Sequence, residues 1–308
     1  MISRRNIRVK VMQELYAQQS GESIDNNNPV ANLQKQLEQT RQLFTYLLYF
    51  ITEVARYAET DAKIRAQKNL PTEHDRNVNT KIAGNQLLWQ ILENESFKKE
   101  ASSRTMEFSD TKEQVKKIYH ELVTSDEYQK YVRVNGRDRK SEKDILFFIF
   151  TDLMLPNEDF VTHLEEHFTN WDDDAEMMNQ LIQNYLQKPG SYSLQHLVGE
   201  EKRKFAKDLL LTTKDKNEYT LELIKPKLKN WDSERIAALD MILMQMGVCE
   251  FLYFETIPPK VTINEYIDIA KEYSTQQSGQ FVNGILDSIH KDLLSQNKIH
   301  KIDFKQKA

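Results

Sequence analysis

Apolar residues recur at a helical spacing along most of this chain. The clearest stripe follows one face of a predicted helix for about seven turns and consists of Leu33, Leu37, Phe44, Leu47, Leu48, Ile51, Val54 and Ala58. The alternating pattern that predicts a strand is hard to find, whereas Leu, Lys, Glu and Gln dominate long runs. The pattern therefore predicts an all-α protein.

Shorter pieces of the same spacing fill residues 72–199. We predict helical segments at residues 78–93, 111–134, 142–153 and 159–186, punctuated by Gly136, Pro156 and Pro189-Gly190. Because the apolar positions keep the helical period, we interpret this region as a helical insertion or an enlarged N-terminal part.

Residues 257–273 predict the end of one helix and the start of another. Pro258 and Pro259 stop the first helix, because proline lacks the backbone N–H that a helix needs. The spacing of Thr262 and Glu265 is typical of a capping box, which predicts that the next helix begins there.

A polar elbow, which we define as residues 274–280, follows that helix. Ser278 is predicted to be the N-cap of the last helix, on which Phe281 begins an apolar side. Asn283 and Gly284 follow at once, although both are poor helix formers. A reason other than helix propensity must therefore keep these two residues.

Composition narrows the class of protein. With 308 residues, the chain is long enough for one large or two modest domains. Cys249 is its single cysteine, which excludes an intrachain disulfide and favours a cytoplasmic location. No apolar run approaches the roughly 18–20 residues of a membrane span, and the N-terminus lacks a secretory signal. The net charge is −5, so a nucleic-acid site would have to be a local patch.

The N-terminal arm, residues 1–20, is such a patch. Arg4, Arg5, Arg8 and Lys10 all precede the first acidic residue, Glu14. Cations near a helix N-terminus oppose the helix dipole, so stability alone does not favour them. The arm is interpreted either as a contact for RNA phosphates, with Tyr16 stacking on a base, or as a solvated helix start.

Other candidate sites are weaker. The sequence from His163 to His167 matches an inverted zinc-protease motif, but no third ligand stands out and the helix faces the core. The triple Asp at 172–174 lacks the glycine and distal glutamate of a calcium loop, so an acidic helix start is favoured. A basic run at residues 133–143 is interpreted as a solvated loop or, alternatively, as a secondary RNA contact.

The C-terminal stretch resembles the NusB family of bacterial transcription antitermination factors. The resemblance is carried by Pro-Lys-Val-x-Ile-Asn-Glu at 259–265, Ala-Lys at 270–271 and Phe-Val-Asn-Gly at 281–284. Gln13, Leu15 and Tyr16 match a Gln-x-Leu-Tyr that follows an arginine-rich start in that family. The resemblance covers about residues 1–20 and 200–293.

That resemblance implies a fold of two helical bundles and a role in antitermination. It implies binding to a boxA-type single-stranded RNA element of ribosomal transcripts with the ribosomal protein NusE, in a complex that helps RNA polymerase resist termination. The implied RNA-binding residues are Arg4, Arg5, Arg8, Tyr16, Gln276, Gln277, Ser278, Phe281 and Asn283. For Phe281 a core position is the alternative, and Asp240 and Glu250 are candidate contacts for a protein partner.

We therefore expect a helical N-terminal part at 1–199, with the arm and an insertion at about 72–199. A NusB-like bundle at 200–294 and a basic tail at 295–308 would follow. No catalytic site, metal or cofactor is expected, because no nucleophile elbow, phosphate-binding glycine loop or paired acids occur. The alternatives are a helical interaction scaffold without RNA binding, or the RNA-binding part of an RNA-modifying system.

Overall fold

The computed structural model describes residues 1–22, 28–103, 111–190, 193–228 and 236–302. Within these ranges the secondary structure is helical and contains no strand, which confirms the all-α prediction. The α-helices are α1 (Arg4–Ser20), α2 (Pro29–Ala66), α3 (Glu73–Arg76), α4 (Gln86–Leu92), α5 (Glu95–Ser103), α6 (Thr111–Thr124), α7 (Asp126–Arg133), α8 (Arg139–Phe148), α9 (Glu158–His167), α10 (Trp171–Gln187), α11 (Glu200–Asp215), α12 (Asn217–Ile224), α13 (Ala238–Tyr253), α14 (Pro259–Tyr273) and α15 (Ser278–Ser295).

The chain divides into two compact units. Unit 1 contains Met1–Ile2 and Leu37–Gly199, and unit 2 contains Ser3–Gln36 and Glu200–Ala308. The arm therefore groups with the C-terminal helices rather than with the rest of the N-terminal part. Among the described residues, no helix is both long and apolar enough to span a bilayer.

Unit 1 is built around α2. The apolar stripe predicted for this helix is buried, with Phe44, Leu47, Ile51 and Val54 all fully inaccessible to solvent, which confirms that prediction. Aromatic contacts fasten other helices to it: Phe44 meets Tyr185 of α10 with ring centroids 5.7 Å apart. Burial of these large side chains supplies most of the free energy that holds the unit together.

Three of the four segments predicted as continuous helices in unit 1 are interrupted. The 78–93 segment consists of a short 3-10 turn at Lys81–Gly84 and helix α4, with Asn85 between them as the cap of α4. The 111–134 segment breaks at Ser125, whose hydroxyl accepts a hydrogen bond from the Tyr128 N–H and caps α7. The 159–186 segment breaks after His167, and α10 begins at Trp171 with the three aspartates in its first turn. Acidic residues are favourable at that end of a helix, which agrees with the interpretation of the aspartates.

Unit 2 is built around α13. Its residues from Ile242 to Phe251 are buried on every side, as expected for a helix at the centre of a bundle. Helices α1, α11, α12, α14 and α15 surround it. Gly247 allows the close approach of α15, because a Cβ there would lie 2.9 Å from Leu286 Cδ2.

Candidate functional site

A buried salt bridge holds the arm against the rest of unit 2. Arg8 Nε and Nη2 donate to the two carboxylate oxygens of Glu250 at 2.7 and 3.0 Å. Their side chains are 2% and 0% exposed, respectively. Thr262 and Tyr266 also donate to the Glu250 carboxylate, each at 2.9 Å. This carboxylate therefore joins α1, α13 and α14.

Electrostatics favour the charged form of Arg8 in this setting. Burial lowers the pKa of Arg8, but the hydrogen bond and charge of Glu250 outweigh burial and raise that pKa above its ordinary value. The Phe205 ring centroid lies 5.5 Å from the guanidinium carbon of Arg8 and 5.6 Å from that of Arg4. Arg8 thus anchors the arm from inside unit 2.

The two preceding arginines remain accessible. Arg4 forms an ion pair with Glu201, and Arg5 donates to Asp268 at 2.5 Å and to Glu265 at 3.3 Å. The Arg4 and Arg5 side chains are 39% and 40% exposed. Burial lowers the pKa of Arg5, yet hydrogen bonds and charges from Asp268 and Glu265 raise it overall. Both guanidinium groups therefore lie partly exposed at the surface of unit 2.

The elbow presents amide side chains and buries a hydroxyl. Gln276 and Gln277 are exposed, whereas Ser278 is 1% exposed. The Ser278 hydroxyl donates to Asp240 Oδ2 at 2.8 Å and accepts from the Thr275 N–H at 3.1 Å. The hydroxyl therefore ties the elbow to the first turn of α13 rather than facing solvent.

The remaining predicted RNA-binding residues differ in accessibility. Phe281 is only 9% exposed, and Asn283 lies exposed on α15. Tyr16 is 40% exposed, but it lies about three turns along α1 from Arg5, so the structure does not place it beside the arginines. Arg8, Ser278 and Phe281 thus have buried positions, while the other six residues retain exposed atoms.

Asp240 and Glu250, the predicted partner contacts, are 5% and 0% exposed. Both carboxylates are bonded inside unit 2, so a protein partner could not reach them without rearranging the helices. Neither this role of Glu250 nor its hydrogen-bond donors Thr262 and Tyr266 were predicted from the sequence. An isolated acid within the apolar run of α13 was the available signal, since a buried carboxylate requires a charged partner.

Two predicted caps are wrong. Helix α14 begins at Pro259, and Thr262 lies inside it with its hydroxyl turned to Glu250 instead of to a helix end. Proline is well suited to the first helical position because its missing N–H is not needed there. Ser278 is the first residue of α15, and the preceding Gln277 makes no side-chain cap.

The basic tail is partly held in place. Lys301 donates to the backbone carbonyls of Glu250 and Phe254 at 2.7 and 2.8 Å, where α13 ends. Burial lowers the pKa of Lys301 to about 8. Lys305 and Lys307, the last cations of the predicted tail, lie outside the described residues.

A groove of about 830 Å³ lies beside Arg4 and Phe205. The acids that line it are Glu201, Asp208, Asp215 and Glu255, against the cations Arg4 and Lys204. The acids therefore outnumber the cations among the residues that line this groove. The described residues contain no cluster of three or more His, Cys, Asp or Glu arranged for a metal ion.

Comparisons with known proteins agree with the resemblance. The NusB family model matches residues 165–291, from the end of α9 into α15. The chain is 46% identical over 99 residues to the transcription antitermination protein NusB of Salinibacter ruber, a match that covers 32% of this chain and 62% of the relative. It is 52% identical over 71 residues to NusB of Methylacidiphilum infernorum, covering 23% of this chain and 50% of that protein.

A further relative, NusB of Finegoldia magna, is 42% identical over 87 residues, covering 28% of this chain and 64% of the relative. The matches thus span less than two thirds of the length of these curated relatives. No solved structure is significantly similar to the chain. Residues 165–291 are therefore similar to the NusB family, and the likeness is limited to part of this chain and part of each relative.

Proposed function

We propose that this chain is a transcription antitermination factor that binds boxA-type RNA of ribosomal transcripts together with the ribosomal protein NusE. The observation that carries the proposal is the accessible set of RNA-compatible groups in unit 2. Arg4 and Arg5 are half exposed, and Gln276, Gln277 and Asn283 are exposed. The similar proteins of Salinibacter ruber and Methylacidiphilum infernorum are antitermination proteins, which supports the activity.

The two exposed arginines supply the phosphate contacts. Their ion pairs with Glu201 and Asp268 are solvent-exposed, and such pairs are worth only about 0–1 kcal/mol. An RNA phosphate can therefore replace these carboxylates at small cost. A guanidinium group suits the exchange because its N–H groups match two phosphate oxygens at once.

The elbow, together with Asn283 of α15, supplies the base contacts. Single-stranded RNA is read by hydrogen bonds to bases that are splayed out of a stack. The amides of Gln276, Gln277 and Asn283 both donate and accept such bonds. Phe281 and Ser278 are buried and support this surface from beneath, as Arg8 supports the arm.

In this proposal the protein is not an enzyme and acts in the cytoplasm through assembly. It joins RNA, NusE and RNA polymerase in an antitermination complex. A face that offers only hydrogen bonds and positive charge is sufficient for that role, since assembly makes and breaks no covalent bond.

The proposal is tested by fluorescence anisotropy with the full chain at fixed salt. The probes are a labelled boxA-like RNA and a scrambled RNA of equal length, each with and without NusE. We expect preference for boxA, tighter binding with NusE, and a loss of at least about tenfold in affinity when Arg4→Glu and Arg5→Glu are combined.

A matched control combines Arg56→Glu with Lys98→Glu. These residues lie in unit 1 with side chains 48% and 52% exposed, and the change in net charge is the same. The control should bind boxA as the wild type does. Equal affinity for boxA and scrambled RNA, unaffected by the arm variant and by NusE, would favour the helical scaffold.

A further inference from the structure

Unit 1 carries a separate positively charged surface at the junction of α7 and α8. Residues 130–143 contain the cations Lys130, Arg133, Arg137, Arg139, Lys140 and Lys143, against the acids Asp138 and Glu142. Arg133, Arg139 and Lys140 are exposed in this region. We call these three residues, together with the exposed Trp89 of α4, the α7–α8 surface. It lies outside the NusB-family match.

The acids of this region offset only part of its positive charge. Glu142 is buried and is occupied by Arg137, with Nη1 to Oε1 at 2.7 Å, and by the hydroxyl of Tyr131 at 3.1 Å. Asp138 accepts from the Ser141 N–H as the cap of α8. Arg133 and Lys140 are exposed and make no ion pair with any described residue.

Helix stability accounts for Arg133, in the last turn of α7, but not for the two cations of α8. Arg139 and Lys140 are the first two residues of α8, where positive charge opposes the helix dipole. Arg139 Nη2 donates only to the backbone carbonyl of Gln187 at 3.3 Å, a neutral acceptor. The positive charge of the surface therefore remains available to a ligand.

An exposed aromatic ring is fixed on the turn that also holds Arg137. Trp89 is 45% exposed, and its Nε1 donates to the Ala83 carbonyl at 3.0 Å, which fixes the orientation of the ring. The same turn, Lys81–Gly84, holds Arg137, whose Nη2 donates to the Lys81 carbonyl at 3.3 Å. Gly84 permits this approach, because a Cβ there would lie 2.5 Å from Arg137 Nη2.

We propose that the α7–α8 surface binds single-stranded RNA without strong sequence preference. Arg133, Arg139 and Lys140 hold the phosphates while Trp89 stacks on a base. Positive charge beside an exposed aromatic ring is the combination by which proteins bind single-stranded nucleic acid. An acidic peptide would use the charge but would gain little from an oriented indole. The inference does not rest on the proposed function of unit 2, because it requires no boxA sequence.

The test measures binding of labelled oligouridine, about 12 nucleotides long, to the full chain over a series of salt concentrations. To separate this surface from the arm, the protein carries Arg4→Glu and Arg5→Glu throughout. In that background, Arg133→Glu combined with Lys140→Glu should weaken binding at least about tenfold and reduce the salt slope by about 1–2.

Trp89→Ala should weaken binding by about tenfold with little change in the salt slope, because it removes stacking rather than charge. Trp89→Phe should restore most of the affinity. Arg56→Glu combined with Lys98→Glu serves as the charge-matched control and should leave binding unchanged.

Three results would overturn the inference. They are loss of all oligouridine binding in the arm background, equal binding by the control and the α7–α8 variants, and a Trp89→Ala protein that binds RNA as the wild type does. Competition by polyglutamate that depends on the cations but not on Trp89 would assign the surface to an acidic protein instead. None of these results bears on boxA recognition by unit 2.

Discussion

At the scale of single residues, the pair formed by Arg8 and Glu250 determines how the arm is held. Two charges removed from water need each other, because breaking a buried pair leaves an uncompensated charge. Glu250→Gln should therefore destabilise the protein by about 3 kcal/mol, as measured by urea unfolding. Thr262 and Tyr266 would lose a charged acceptor at the same time.

Asp287→Asn is the control for that change. Asp287 pairs with Lys291 one turn away on α15, and both side chains are well exposed. Removing this charge should alter the free energy of unfolding by less than about 1 kcal/mol. Equal effects of the two substitutions would contradict the role assigned to Glu250.

Cys249 provides a prediction about pH. Burial raises the pKa of its thiol from the ordinary 9.0 to about 12. The unfolded chain therefore releases this proton near pH 9 while the folded chain retains it. The thiol's contribution to the free energy of unfolding should consequently fall as pH rises from about 9 to 12.

The same burial protects the thiol from alkylation. At pH 8 iodoacetamide should modify the folded protein far more slowly than the urea-unfolded chain, since only a thiolate reacts. Mass spectrometry of timed samples measures both rates. Similar rates in the two states would show that Cys249 is not buried as described.

At the scale of elements, Gly247 of α13 and Gly284 of α15 have opposite effects on helix packing. A Cβ at Gly247 would lie 2.9 Å from Leu286, which is fully buried, whereas a Cβ at Gly284 would meet nothing within 4 Å. Gly247→Ala should destabilise the protein by about 1–3 kcal/mol through overpacking. Gly284→Ala should stabilise it by about 0.5–1 kcal/mol through helix propensity. Thermal unfolding of both variants, beside the wild type, measures this contrast.

The Gly284→Ala variant also tests why two poor helix formers, Asn283 and Gly284, occur in the first turns of α15. If RNA binding keeps this glycine, the more stable Gly284→Ala protein should bind boxA RNA less tightly. Unchanged affinity would mean that neither stability nor RNA binding explains the residue.

A substitution in the elbow, Gln277→Asp, should affect stability and RNA affinity differently. Gln277 precedes α15 and makes no side-chain cap, so Gln277→Asp should hold or slightly increase stability by capping the helix. The new carboxylate would repel RNA phosphates, so affinity for boxA RNA should fall several-fold at low salt. Gln277→Asn is the uncharged control, and an equal loss with Asn would argue against an electrostatic cause.

The helices and their buried faces were predictable from the sequence, as the stripe of α2 illustrates. The start of α14 was not predictable in the same way. Thr262 and Glu265 have the spacing of a capping box, but both lie inside a helix that already begins at Pro259. The prediction of Ser278 as an N-cap was wrong for a similar reason: its hydroxyl donates to Asp240, which lies 38 residues away in the sequence. Local patterns contain no information on such distant partners.

The candidate site was predictable in its residue types but not in their accessibility. Arg4, Arg5 and Arg8 look alike in the sequence, yet only Arg8 is buried. The difference follows from the helical spacing of α1 and from Glu250 on a different helix. Such a division of roles between an anchor and two surface contacts requires the three-dimensional structure.

At the scale of the whole molecule, charge is unevenly distributed. The chain has a net charge of −5, and residues 158–176 contain acids but no Lys or Arg. The arm and the α7–α8 surface are therefore local positive areas on an otherwise acidic protein. In our two proposals, this distribution directs RNA to defined places instead of indiscriminate adsorption.

In the proposed function, the protein promotes antitermination through boxA RNA. The most direct measurement is terminator read-through by RNA polymerase in a reconstituted reaction with NusE, with and without this protein. Templates carry either a boxA-like element or its scrambled version upstream of the terminator. We expect the protein to increase read-through on the boxA template alone. Equal read-through on both templates, or no change when the protein is added, would contradict it.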